Sequence, residues 1–182
     1  MHWRRYALCG IIGPTVAYCF IAISIGLSPW FNWRTNALSD LGHAITSEAA
    51  SWYNFGLLLS GFLTTIYAVK ALRAHAQYTS CCLVTSALLL QLVATFDEVY
   101  GFLHFLVSVL LFASFGLGSL VYAVEARSKM ASVAFVISLG SWLLYWTGAY
   151  AAGIAIPEAI SSLATGLWII SSATEILRGK ST

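Results

Sequence analysis

Apolar residues in this chain come in long runs punctuated by brief clusters of charge. Six runs, near 6–28, 50–72, 79–96, 102–124, 130–152 and 158–177, qualify as membrane-spanning helices, since a bilayer core of about 30 Å takes roughly 20 residues. Four of the five connections are short: Ala74–Tyr78, Asp97–Gly101, Ala126–Lys129 and Gly153–Pro157. Short links make consecutive helices antiparallel neighbours, so the pattern predicts an all-α, six-helix up-down bundle. Residues 1–182 are read as a single transmembrane domain. Small residues at packing spacing, as in Gly10/Gly13, Ser114/Gly118 and Ala149/Gly153, are expected to let backbones approach closely. Pro157 suits the first turn of the last helix, where a missing N–H costs nothing.

Charge orients the bundle. Eight of the nine Lys and Arg residues, Arg4, Arg5, Lys70, Arg73, Arg127, Lys129, Arg178 and Lys180, fall on one side of the alternating topology, and only Arg34 on the other. Positive charge gathers on the cytoplasmic side, so both termini are expected in the cytoplasm. At 59% hydrophobic and 9% charged, the composition excludes a soluble domain, and the net charge of +2 gives no reason to expect nucleic acid. No cleaved leader is expected, because the first apolar run is of full spanning length. Cys9, Cys19, Cys81 and Cys82 all lie within apolar runs and read as small packing residues.

The first outward connection, Ser28–Ala49, breaks the pattern by its length, and long loops tend to be functional. It opens with Trp30, Phe31 and Trp33, rings suited to the headgroup region, and continues through Asn36, Ser39, Asp40 and His43. On the same side stand Glu48, Asp97, Glu98, His104 and Glu158. Ionisable groups at membrane depth usually face an interior cavity. The candidate site is therefore His104 and Asp40 as catalytic residues, with Asn36, Ser39, His43, Asp97, Glu98 and Glu158 around a substrate. Asp97 and His104 would share a helix face if the helix ran through the turn between them. His104 could instead be a neutral imidazole bonded to a neighbouring helix or to Asp40. A divalent metal, if one is held, would take His43, His104, Asp40 and Asp97, yet no H-x-x-H or H-E-x-x-H pattern is present, and the residues name no cofactor. Ser39 could be a nucleophile with His43 or His104 as base, or, with Asp40, simply fold the loop. At the other side Glu125 reads as a helix-end partner of Arg127 or Lys129; Gln91 and Trp146 read as mid-membrane side chains that pack or bond between helices, or else line a cavity.

The run Asn36-Ala37-Leu38-Ser39-Asp40-Leu41-Gly42, followed by Tyr53-Asn54-Phe55-Gly56, resembles the N-x-[IL]-S-D-L-G … [FY]-N-x-G signature of a prokaryotic membrane family, domain-of-unknown-function family 998. His104 at the start of the fourth helix, Ile156-Pro157-Glu158 and Trp168 resemble further family positions, although Ala159 stands where a basic residue often follows the Glu. That family is similar in turn to the Frag/DRAM/Sfk six-helix proteins. The resemblance implies a six-helix fold with a cytoplasmic N-terminus and an outer polar site, in a bacterial plasma membrane. Its eukaryotic relatives act in lipid-anchor remodelling and lipid distribution, and no catalytic residue carries over.

Two functions follow as expectations. One is a lipid-handling protein that binds or modifies headgroups at the outer leaflet. The other is a non-catalytic scaffold, a homo-oligomer or partner of another membrane protein, whose polar cluster only orders the long loop. A channel or transporter fits poorly, because the midplane stretches are nearly all apolar.

Overall fold

The computed structural model describes residues 2–149 and 151–179; Lys180 lies outside them. Six α-helices carry the fold: α1 (Ala7–Leu27), α2 (Ala50–Lys70), α3 (Gln77–Thr95), α4 (Phe102–Glu125), α5 (Lys129–Trp146) and α6 (Ala155–Arg178). Short 3-10 turns at His2–Tyr6, Ser39–Gly42, Leu72–Ala74 and Glu98–Tyr100 join or extend them, and no strand occurs among the described residues. All six helices are long and apolar enough to cross a membrane, and the molecule is a polytopic integral membrane protein.

The expected helices are all present, with two corrections. α5 ends at Trp146 rather than 152, because the chain closes it with a Schellman turn. Gly148 takes a left-handed φ of 67°, its N–H bonds to the carbonyl of Tyr145, and the Ala149 N–H bonds to that of Leu144. Trp146 is accordingly the last residue of α5 and 69% exposed, not a mid-membrane side chain. α6 begins earlier than expected, at Ala155, with Pro157 buried in its first turn.

Helices α1, α2, α3, α4 and α6 pack pairwise into a closed ring, and α5 lies outside it against α4 and α6. Lipid is as apolar as a leucine side chain, so close contact and hydrogen bonds must hold the ring. Close contact comes at Gly10 and Gly56. A Cβ on Gly10 would lie 2.7 Å from the Tyr67 ring, and one on Gly56 would lie 2.3 Å from the Cβ of Phe20. Hydrogen bonds cross the ring at Trp168 Nε1 to Ser119 Oγ (2.9 Å), Tyr18 OH to Ser162 O (2.6 Å), and between Tyr67 OH and Ser172 Oγ (2.7 Å). Each contributes about 0.6–2 kcal/mol in a bilayer. Tyr122 stacks on Trp168 at 4.9 Å.

The interior has two apolar centres. One, toward the end that bears Arg4, Lys70 and Arg127, gathers Tyr67, Leu72, Leu83, Tyr122, Trp168 and Ile176. The other, toward the end that bears Asp40 and Glu158, gathers Leu38, Leu41, Tyr53, Leu57, Val107 and Leu111. Between them a cavity of about 90 Å³ is lined by residues of the five ring helices and by Leu38 and Ser39 of the long connection. At the basic end Glu125 does not turn to Arg127 or Lys129. Its carboxylate accepts from the N–H groups of Tyr78 (3.0 Å) and Thr79 (2.8 Å) and from Thr79 Oγ1 (2.6 Å), capping α3 from the end of neighbouring α4. Gln91 bonds its own helix, Nε2 to Ala87 O.

Candidate functional site at the acidic end

The connection between α1 and α2 folds over the bundle by bonding to itself. Asp40 is its organiser: Oδ2 accepts from Asn36 Nδ2 (2.8 Å) and from the N–H of Ala37 (3.0 Å). Asn36 Oδ1 in turn accepts from the N–H of Asn32. Ser47 Oγ donates to Leu41 O, and Asn54 of α2 donates to Gly42 O at 2.8 Å. A Cβ on Gly42 would stand 2.6 Å from Asn54 Oδ1, so the glycine and the asparagine, twelve residues apart, form one joint. The link between α5 and α6 is stitched to the same loop, Gly153 N–H to Trp33 O (3.0 Å) and Ala155 N–H to Asn36 O (3.2 Å).

Beneath the loop, three elements meet on one oxygen. Glu98 Oε1 accepts from Ser39 Oγ at 2.5 Å and lies 3.2 Å from Nε2 of His104. His104, 4% exposed at the start of α4, holds its Nδ1 against the carbonyl of Phe96 at 2.7 Å. A carbonyl only accepts, so Nδ1 carries hydrogen and Nε2 is the nitrogen left to face Glu98 and Ser108 Oγ (3.2 Å). The bond from His104 holds the Glu98 carboxyl below the usual range of its kind, against the upward push of partial burial, and Ser39 adds to it.

Glu158 stands alongside, 7% exposed in the first turn of α6. Its Oε2 accepts the N–H of Leu38 at 2.7 Å, and among the described residues its Oε1 takes no hydrogen bond. The side chain borders the central cavity and also a groove of about 400 Å³ between α4 and α5. Ser108 and Phe112 border both spaces as well.

Of the residues singled out from sequence, Ser39 and His104 thus both contact Glu98, and Glu158 neighbours them through Leu38. Asp40 and Asn36 are spent on the loop's own backbone. Asp97 does not pair with His104. The chain leaves helical geometry after Thr95 and turns at Gly101 (φ 52°), and Asp97 instead caps the short turn that follows by accepting from the Val99 N–H. His43 accepts the N–H of Ile45, at 3.3 Å, and acts on Glu98 through charge rather than a hydrogen bond. Ser39 faces a carboxylate rather than an imidazole, which removes it as the partner of a histidine base. Among the described residues no group of three or more His, Cys, Asp or Glu side chains could hold a metal ion, so His43, His104, Asp40 and Asp97 are not one ligand set. Sequence reasoning missed Ser108 and Tyr53. Ser108 carries the hydroxyl nearest His104, and its position four residues on in the same helix was the available signal. Tyr53, 5% exposed, lines the central cavity and belongs to the Tyr-Asn-x-Gly run already noted.

No curated protein and no solved structure matches this chain. The family model described as "Protein of unknown function (DUF998)" matches residues 11–175. That span contains all six helices in whole or nearly so, together with the loop, the Ser39–Glu98–His104 contact and Glu158, and the chain belongs to the DUF998 family of membrane proteins.

Proposed function

We propose that the acidic end binds the headgroup of a membrane lipid in the leaflet away from the cytoplasm, and that any chemistry done there runs through His104. The observation that carries this reading is a polar set in which buried Ser39 and His104 meet on partly buried Glu98, adjoining a cavity wall that includes Ser39, Ser108 and Glu158. Burying ionisable groups at the end of a membrane bundle is costly, and loop-folding alone is already achieved by Asp40, Asn36 and Asn54. In a catalytic role the Nδ1 contact with Phe96 O orients the ring, Nε2 is the proton carrier, and Ser108 is the hydroxyl within reach. The basic end would face the cytoplasm by the positive-inside rule, in a bacterial plasma membrane.

A second reading has its own support. Ser39, Glu98 and His104 satisfy one another, so the set could close the loop without any ligand, leaving the protein as a scaffold or partner subunit.

Native mass spectrometry of gently purified protein beside a His104→Ala variant separates the two. The headgroup reading expects lipid adducts on the wild type and at least a five-fold loss in a variant that still melts cooperatively. Equal adducts on both proteins would sink it. A wild type seen only as a lipid-free multimer would favour the scaffold.

A further inference from the structure

Resting on that headgroup reading, we infer that the groove between α4 and α5 seats the acyl chain of a lipid whose headgroup carries a primary ammonium, held by Glu158. The groove follows α4 from Phe105 to Leu117 and α5 from Trp146 back to Phe135. Twelve residues of helix rise about 18 Å, which is the depth of roughly one leaflet of a 30 Å core. Its volume of about 400 Å³ lies within the ordinary range for ligand pockets, roughly 300–1,000 Å³. Its rim is open to the side: Val109 is 48%, Leu139 46% and Trp146 69% exposed. A chain can therefore enter from the bilayer without crossing water.

The polar groups fix the headgroup. Among the described residues Glu158 is the single ionisable one on the groove wall, is more than nine-tenths buried, and has an Oε1 without a protein donor. An ammonium supplies N–H donors and a positive charge to that oxygen, a charge-assisted pair worth about twice a neutral hydrogen bond. A headgroup with net negative charge would face Glu158, Glu98, Asp40 and Asp97 with Arg34 as the only Lys or Arg on this side. Quaternary ammonium has the charge but no N–H. The α4–α5 seam lies on the outside of the bundle, because α5 stands outside the ring and packs on α4 and α6.

The test is lipid retention by the full-length protein, read by native mass spectrometry after exchange into mixed vesicles. These hold equal parts of phosphatidylethanolamine, phosphatidylcholine and phosphatidylglycerol. The wild type should retain phosphatidylethanolamine at least five-fold over each of the others. Glu158→Gln should bring that ratio close to one. Gly116→Phe fills the groove beside Phe135, and Leu139→Trp blocks its lipid-facing side without touching the ring; both should lose the adduct. Equal retention of the three lipids by the wild type overturns the inference, as does unchanged preference in Glu158→Gln or an intact adduct in both groove variants. Loss in His104→Ala with retention in the groove variants would remove the groove and leave the headgroup reading standing. A wild type that holds no lipid would remove both.

Discussion

Glu98 accepts from Ser39 and faces His104 through the same oxygen, so its charge state sets how firmly the loop is held to α4. The His104 bond, with Ser39 behind it, keeps the carboxyl below the ordinary glutamate value of 4.5. A depressed folded value means that the carboxylate's stabilising effect is complete above pH 4.5 and fades as pH falls through the lowered value. The wild type should therefore lose thermal stability in detergent as pH drops below 4.5, and Glu98→Gln should show a flatter dependence there. At neutral pH that variant should be roughly 1–2 kcal/mol less stable, reduced from the about 1.5–3 kcal/mol of charged hydrogen bonds because the side chain is 26% exposed. A variant whose acid profile overlays the wild type's would show that the pair does not couple to folding. Sequence reasoning picked the right residue types at this scale but paired some of them wrongly. Asp97 and His104 seemed to share a face only on the assumption of an uninterrupted helix, and Gly101 breaks it. Asp40 looked like site chemistry but is consumed by the Ala37 N–H three residues away and by the Asn36 side-chain amide, a use open to any Asp in a tight loop.

Among the elements, the helix ends decide what was legible. Runs of apolar residues locate spanning helices well, but they cannot see an end that remains apolar. After α5 the chain continues Ala149-Tyr150-Ala151-Ala152, so hydropathy carried the helix to 152 while Gly148 had already ended it. α3 has the opposite problem. Its N-terminal cap is not the preceding Ala76, which makes no side-chain cap bond, but Glu125, forty-six residues away from Thr79. Glu125→Ala should leave the Tyr78 and Thr79 N–H groups without their partner and cost about 1–2 kcal/mol. Amide hydrogen exchange should localise the loss to the first turn of α3. Protection unchanged at that turn would mean that water replaces the carboxylate without penalty.

For the whole molecule, the ring of five helices with α5 outside was beyond the reach of pattern reading. Spacing gives antiparallel order but not which helix is displaced from the circle. The order itself is fixed by short connections, and it collects Arg4, Arg5, Lys70, Arg73, Arg127, Lys129 and Arg178 at one end. A reporter fused after the C-terminus should accordingly be active only when it needs the cytoplasm, such as a fluorescent protein, and silent when it needs export. The reverse pattern would invert the proposed site to the inner leaflet. The family signature becomes physical at this scale. Gly42 and Asn54 are one joint, Gly56 is the contact of α2 with α1, and Glu158 receives the Leu38 N–H from the far end of the chain.

That last bond joins residues 120 positions apart, and the two stitches from Gly153 and Ala155 to Trp33 and Asn36 span a similar interval. The first loop is made early in synthesis and its partners come last. Contacts of such separation form late, because the intervening chain must be placed before they can close. Until α6 is inserted, the Leu38 N–H and the carbonyls of Trp33 and Asn36 have only water to satisfy them. The closed acidic end is thus a record of completed translation: a ribosome that stops after the fifth helix releases a protein whose loop lacks the Glu158 anchor and the stitches from Gly153 and Ala155.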